Sequence, residues 1–149
     1  MKNNIATRQF KIIPIAPDGS INKEAYRFIS NSMYAQYQAL NRASSFMTML
    51  FYKYNQNLSD PGYKEELNAF KYNKTNPRFA DISFGIGVDT LSLVSKKIKA
   101  DFNTAIKNGL ARGERSVNNY KRTTPLLTRN RNLRIYYVEK DVYIKWVNG

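Results

Sequence analysis

Apolar residues recur at three- and four-residue steps from Ile21 to about Tyr54, and this long pattern constrains the fold more than any other feature. The spacing matches the period of an α-helix, so the sequence predicts one long amphipathic helix across this range. Ser20 or Asn22 can cap the start of that helix, and Glu24 suits the positive end of its dipole.

Two further helices follow along the chain. Pro61 stands where a first helical turn tolerates proline, which predicts a short helix to about Tyr72 with Tyr63, Leu67 and Phe70 facing inward. The stretch "NKTNPRFADISFGIG" is predicted to be a loop ended by Gly85 and Gly87. A third helix is expected from Leu91 to Asn108, capped by Asp89 or Thr90, with one apolar stripe formed by Leu91, Val94, Ile98, Phe102 and Ala105. Gly109 then occupies the position of a left-handed C-cap.

Strand patterns lie at the two ends of the chain. Thr7–Ile15 is predicted to be a strand, and Leu133–Val138 and Val142–Val147 alternate as a hairpin around "EKD". An isolated hairpin is marginal in water, so this one needs the amino-terminal strand or a helix to pack upon. We therefore predict an α+β fold in which residues 1–19 and 123–149 form a β part and residues 20–122 form a helical part.

Composition excludes several classes of site. The 149-residue chain is long enough for one domain that buries roughly 70% of its unfolded surface. It has no Cys and no His, which removes disulfides, thiolate metal sites and the common Ser-His and Cys-His nucleophile arrangements. We expect neither a cofactor nor a metal. No apolar run approaches the roughly 20 residues of a membrane span, and no signal peptide is recognisable, so we expect a cytoplasmic protein without membrane contact.

Positive charge is concentrated late in the sequence. Lys and Arg number 24 against 11 Asp and Glu, for a net charge of +13. Eleven of these cations and two acids fall between Lys96 and Arg134, so this part carries +9 of the total. Such clustering favours a polyanionic partner over the alternative of a basic protein that is merely soluble.

The stretch "GLARGERSVNNYKR", residues 109–122, has few apolar side chains and holds four cations against one acid. Arg and Lys form charge-assisted hydrogen bonds with phosphate oxygens. Tyr120 can stack on an unpaired base, although its ring can instead pack on a neighbouring helix. We predict a nucleic-acid site formed by Lys96, Lys97, Lys99, Lys107, Arg112, Arg115, Tyr120, Lys121, Arg122, Arg129 and Arg131.

The stretch from Asp89 to Tyr137 resembles the amino-terminal half of miniature type V CRISPR effectors and their TnpB relatives. In those proteins a helix that ends near a Gly is followed by the pattern G-x-x-S-x-x-x-Y/F-K and then by strands. That pattern is occupied here by Gly113, Ser116, Tyr120 and Lys121. The early strand and long helix, "FKIIPIAPDGSINKEAYRFISNSMYAQYQALNRASS", fit the opening of the same family.

The resemblance implies a wedge-type β-barrel interrupted by a helical recognition lobe. In such effectors base pairing reads the sequence. The protein binds the guide RNA scaffold and the guide–target duplex by recognising the shape and the backbone of these nucleic acids. The same resemblance makes target DNA a candidate ligand and a dimer a candidate assembly. Those nucleases also carry a RuvC domain with three metal-binding carboxylates and a Cys-rich zinc ribbon, and neither is matched here. We therefore expect no nuclease activity and no catalytic residues.

Three functions remain open at this point. The chain can be a non-catalytic module that binds guide or scaffold RNA, or the guide–target duplex, through a basic face. It can instead be a regulator from a phage or mobile element, of the anti-CRISPR kind, that competes for the guide RNA or takes the place of a subunit of an RNA-guided nuclease. The third alternative is an unrelated basic nucleic-acid-binding protein.

Overall fold

The structure, a computed structural model, describes residues 12–82 and 86–146 of the chain. Its fold is α+β, as predicted. The described elements are four helices, α1 (Lys23–Lys53), α2 (Pro61–Ala69), α3 (Pro77–Ala80) and α4 (Val88–Lys107), two 3-10 turns (Leu110–Arg112 and Asn130–Asn132), and the strands β1 (Leu133–Val138) and β2 (Asp141–Trp146). The chain divides into two compact units, residues 1–30 and residues 31–149.

The long helix α1 begins close to its predicted start. Asn22 is the capping residue, because its Oδ1 accepts a hydrogen bond from the backbone N–H of Ala25 at 3.1 Å. Ser20 instead bonds the carboxylate of Asp18. The carboxyl-terminal half of the predicted apolar stripe is confirmed as buried, whereas Ile21 is 65% exposed.

Helix α2 is capped by Asp60, whose Oδ1 accepts from the backbone N–H groups of Gly62 and Tyr63. The helix ends at Ala69 rather than near Tyr72, and Tyr63 is buried as predicted. The predicted loop that follows was wrong over Pro77–Ala80, which forms the short helix α3. Its start is fixed by Asn76, whose side chain accepts from the N–H of Arg78 at 2.9 Å.

Helix α4 confirms the predicted stripe, since Leu91, Val94, Ile98, Phe102 and Ala105 are all buried. The predicted caps were wrong: Gly87 is the N-cap, so Asp89 and Thr90 lie inside the first turn. Their side chains bond residues far along the chain instead of the helix end. At the other end Gly109 has a φ of +93°, which confirms the left-handed residue predicted there.

The core of residues 31–149 is formed mainly by α1 and α4. The rings of Phe51 on α1 and Phe102 on α4 meet edge to face with centroids 5.6 Å apart. Phe79 of α3 is only 1% exposed, which explains why this stretch folds as a helix although its polar surroundings resemble a loop. The ring of Phe70, which directly follows α2, stacks on the ring of Phe46 with the centroids 3.9 Å apart. This contact packs the end of α2 against α1.

The strands β1 and β2 form an antiparallel hairpin with a two-residue loop, and the predicted faces are confirmed by its register. The six residues of one face pair as Leu133 with Trp146, Ile135 with Ile144, and Tyr137 with Val142. That face stays largely exposed; Tyr137 is 76% exposed. The hairpin is attached at its base, where the indole N–H of Trp146 donates to Thr128 Oγ1 at 3.0 Å.

The predicted amino-terminal strand, Thr7–Ile15, falls partly outside the described residues, which begin at residue 12. Residues 12–14 have no regular structure, and Ile15 pairs with Ile21 in a single bridge. Gly85 and Val147 also lie outside the described residues.

Candidate nucleic-acid interface

Residues 113–129, here called the basic segment, lead from the end of α4 to the hairpin without forming a helix or a strand. Gln36 on α1 is completely buried and binds the segment's backbone in both directions. Its Nε2 donates to the carbonyl oxygen of Pro125 at 2.9 Å, and its Oε1 accepts from the N–H of Leu127 at 2.6 Å. One side chain thus supplies the hydrogen bonds that a neighbouring strand would otherwise make.

Two more polar side chains of α1 bind the backbone at an earlier part of the segment. Asn41 accepts from the N–H of Tyr120 at 2.9 Å and donates to the Tyr120 carbonyl oxygen at 3.1 Å. The hydroxyl of Ser44 donates to the carbonyl oxygen of Asn118 at 2.7 Å. The sequence did not predict these contacts; the available signal was the presence of Gln36 and Ser44 among apolar neighbours on the inner face of a long helix.

Helix α4 holds the other side of the basic segment. The hydroxyl of Thr90 donates to the carbonyl oxygen of Leu127 at 3.0 Å, and the hydroxyl of Tyr120 donates to Asp101 Oδ2 at 2.6 Å. The contacts move from Asp101 back to Thr90 as the segment proceeds from Tyr120 to Leu127, so the segment runs antiparallel to α4. Its path is therefore fixed by bonds to its backbone and to Tyr120.

Tyr120 belongs to the packing of the protein. Its ring is partly buried against the core, with the ammonium of Lys97 5.6 Å from the ring centroid. Burial raises the pKa of the Tyr120 hydroxyl, and the acceptor Asp101 raises it further. This placement favours packing on a neighbouring helix over stacking on a base, because a base would have to displace these contacts.

Asp89 holds two of the predicted phosphate-binding arginines. The Arg131 guanidinium donates to both carboxylate oxygens, and Asn132 donates to Oδ2 at 3.0 Å. Arg129 Nε lies 3.6 Å from Oδ1, and the same guanidinium donates to Ser92. The Asp89 side chain is only 6% exposed, and the hydrogen bond from Arg131 holds the pKa of its carboxyl below the usual range. Arg129 and Arg131 therefore join the base of the hairpin to α4.

The remaining predicted cations differ in how they are engaged. Arg112 pairs with Glu114 at 2.9 Å, Lys97 pairs with Asp101 at 3.1 Å, and the Arg122 guanidinium lies 4.6 Å from the centroid of the Tyr34 ring. Five of the predicted cations have neither a carboxylate within ion-pair distance nor an aromatic ring contact in the part of the chain that the structure describes: Lys96, Lys99, Lys107, Arg115 and Lys121.

These five cations lie on exposed surface at two places. Lys96 and Lys107 are on the side of α4 opposite its buried stripe, as the period of about 3.6 residues per turn dictates, and Lys99 is exposed beside them. Arg115 and Lys121 are exposed on the basic segment. Lys97 lies on the flank of α4 that meets the segment, through its contact with the Tyr120 ring.

Known proteins add no identification. No family model matches the chain, and no curated protein matches it. Within residues 12–82 and 86–146, no helix has the length and apolar character required to cross a bilayer. The same residues contain no group of three or more acidic side chains placed to hold a metal ion.

Proposed function

We propose that this protein is a nucleic-acid-binding module with RNA as its first candidate ligand, and that it acts by binding rather than by catalysis. The phosphates would contact Lys96, Lys99, Lys107, Arg115 and Lys121, which lie exposed on α4 and on the basic segment. One observation carries the proposal: side chains of α1 and α4 fix residues 118–127 through their backbone and Tyr120, and Arg115 and Lys121 are exposed.

The hydrogen bonds from α1 stabilise the path of the basic segment, which supports a functional role for this segment. A buried amide that loses its partner costs about 1–3 kcal/mol, so the completely buried Gln36 is stable inside the core only when the segment passes it at residues 125–127. A segment whose backbone is held in advance also loses less conformational freedom when a ligand binds. The net charge of +13 supplies long-range attraction for a polyanion.

The resemblance to miniature type V CRISPR effectors makes guide or scaffold RNA the specific ligand to test. On that interpretation the hairpin is part of a wedge-type barrel and the helices belong to a recognition lobe. Phosphate contacts position a nucleic acid without reading its sequence, which agrees with a protein that recognises RNA by shape.

The proposal is tested with a triple variant, Lys96→Ala, Lys99→Ala and Lys121→Ala. Binding to a structured RNA is measured by fluorescence anisotropy over a series of salt concentrations. Each lost phosphate contact reduces the magnitude of the slope of log K against log salt by about 0.7–0.9, so three lost contacts should reduce it by about 2–3.

The matched control replaces three exposed lysines outside the proposed interface, Lys64, Lys71 and Lys74, by Ala. It removes the same charge and should change the slope far less. Equal losses in the two variants would show that only net charge matters and would overturn the assigned interface. Failure of the unmodified protein to bind RNA or DNA at low salt would overturn the function itself.

A further inference from the structure

The hairpin has a second face that differs in chemistry from its apolar one. Cross-strand partners of an antiparallel pair point to the same side, so this face presents Arg134 with Lys145, Tyr136 with Tyr143, and Val138 with Asp141. None of these residues contributes to the buried core of the described chain. The face therefore has a composition that packing within the protein does not explain.

Two cations lie directly opposite each other near the base of this face. Arg134 and Lys145 are cross-strand partners, and neither forms an ion pair with any carboxylate of the described residues. Like charges in this position destabilise a two-stranded sheet. An anion bound between them would remove that repulsion.

Two aromatic rings lie next to the cations on the same side. Tyr136 and Tyr143 stack with their centroids 5.6 Å apart and their planes inclined by 18°. They remain 45% and 43% exposed. Cations beside accessible aromatic rings are the combination that holds single-stranded nucleic acid, because the cations take the phosphates and the rings take the bases.

The hairpin directly follows the basic segment along the chain. The 3-10 turn at residues 130–132 joins the basic segment directly to β1, and Arg131 and Asn132 in that turn are held by Asp89. The segment and the hairpin are therefore joined by a short, fixed connection.

We propose that the face formed by Arg134, Tyr136, Tyr143 and Lys145 is a second contact site, which takes an unpaired stretch of a nucleic-acid strand. Arg134 and Lys145 bind the phosphates, and a base stacks against the tyrosine pair. This inference rests on the proposed function and adds to it a preference for strands with unpaired bases.

The test compares Tyr136→Val with Tyr143→Val, made together, against the control Tyr137→Val on the opposite face of the same strand. Valine keeps the β propensity and removes the ring. The probes are a mixed-sequence single-stranded RNA of about 12 nucleotides, within the range of known site sizes, and a blunt duplex of the same length. We expect the double variant to bind the single strand about tenfold more weakly, with an unchanged salt slope and duplex affinity within about twofold. The control should bind both probes as the unmodified protein does.

A second variant keeps the test decisive if loss of the tyrosine pair unfolds the hairpin. Replacing Arg134 and Lys145 by Ala removes the like-charge repulsion and should lower the salt slope for the single strand by about 1.4. Lys64→Ala with Lys71→Ala is the control of equal charge. Affinities unchanged in both hairpin variants, with binding by the unmodified protein intact, would overturn this inference and leave the proposed function standing. Absence of binding by the unmodified protein would overturn both.

Discussion

At the scale of single residues, Gln36 determines where the basic segment runs. Its amide uses one donor and one acceptor on the backbone of Pro125 and Leu127, inside a part of α1 with no access to water. Helix periodicity predicts which side of α1 is buried but does not say which polar residue on that side has a distant partner. Leu40 and Met47 were therefore predictable as core residues, whereas Gln36 and Asn41 as anchors were not.

Gln36→Leu should lower the free energy of unfolding by about 2–4 kcal/mol. The substitution leaves the carbonyl of Pro125 and the N–H of Leu127 without partners, at about 1–3 kcal/mol each, and the added apolar contact offsets part of this loss. Urea denaturation followed by circular dichroism measures the change.

Gln38→Leu, two positions along the same helix, is the matched control. The Oε1 of Gln38 is buried without a hydrogen-bond partner among the described residues, so removing it should be neutral or stabilising. Similar losses in the two variants would contradict an anchoring role for Gln36.

At the scale of elements, the first turn of α4 serves as an attachment point rather than as a cap. Asp89 and Thr90 fit the sequence signature of an N-cap, but Gly87 takes that position and both side chains bond the chain that leads to the hairpin. The signature is local, whereas Arg131 and Leu127 reach this turn only in the folded protein. The existence of α4 was thus predictable from its stripe, and the function of its first turn was not.

The link between Asp89 and Arg131 should weaken in acid. The pKa of the Asp89 carboxyl is lowered in the folded protein, so its contribution to stability is present above the unfolded value of about 3.9 and is lost as the pH falls through the folded value. Asp89→Asn should therefore speed amide exchange in the hairpin at neutral pH, relative to the unmodified protein.

Hydrogen–deuterium exchange of β1 and β2 at pH 7 measures the effect of Asp89→Asn on the hairpin. Equilibrium unfolding near pH 3 measures the effect of acid on the link. The destabilisation of the variant relative to the unmodified protein should shrink toward pH 3. A difference that stays constant across this range would show that the charge of Asp89 is not what holds the hairpin.

At the scale of the whole molecule, charge acts against folding and in favour of binding. The net charge of +13 destabilises the compact state by self-repulsion, because 11 acids offset fewer than half of the 24 cations. The overall charge and the α+β class were readable from composition and periodicity. The sequence did not show which cations form ion pairs with carboxylates and which remain without them. Arg129 and Arg131 look no different in the sequence from Arg115.

Salt should therefore change stability and binding in opposite directions. Raising NaCl from about 50 to about 500 mM shortens the range of the repulsion to a few ångströms, so we expect the thermal midpoint to rise while RNA affinity falls steeply. Differential scanning fluorimetry and anisotropy on the same samples measure the two effects. A midpoint that falls with salt would show that the ion pairs, and not the excess cations, dominate the electrostatics of the fold.

Trp146 is the only tryptophan of the sequence, and its indole N–H reaches across from β2 to Thr128. The chain therefore carries a natural optical reporter at the junction where the hairpin leaves the rest of the protein. A shift in its emission follows detachment of that junction in real time and without any label, and tyrosine signals spread over the molecule provide the reference.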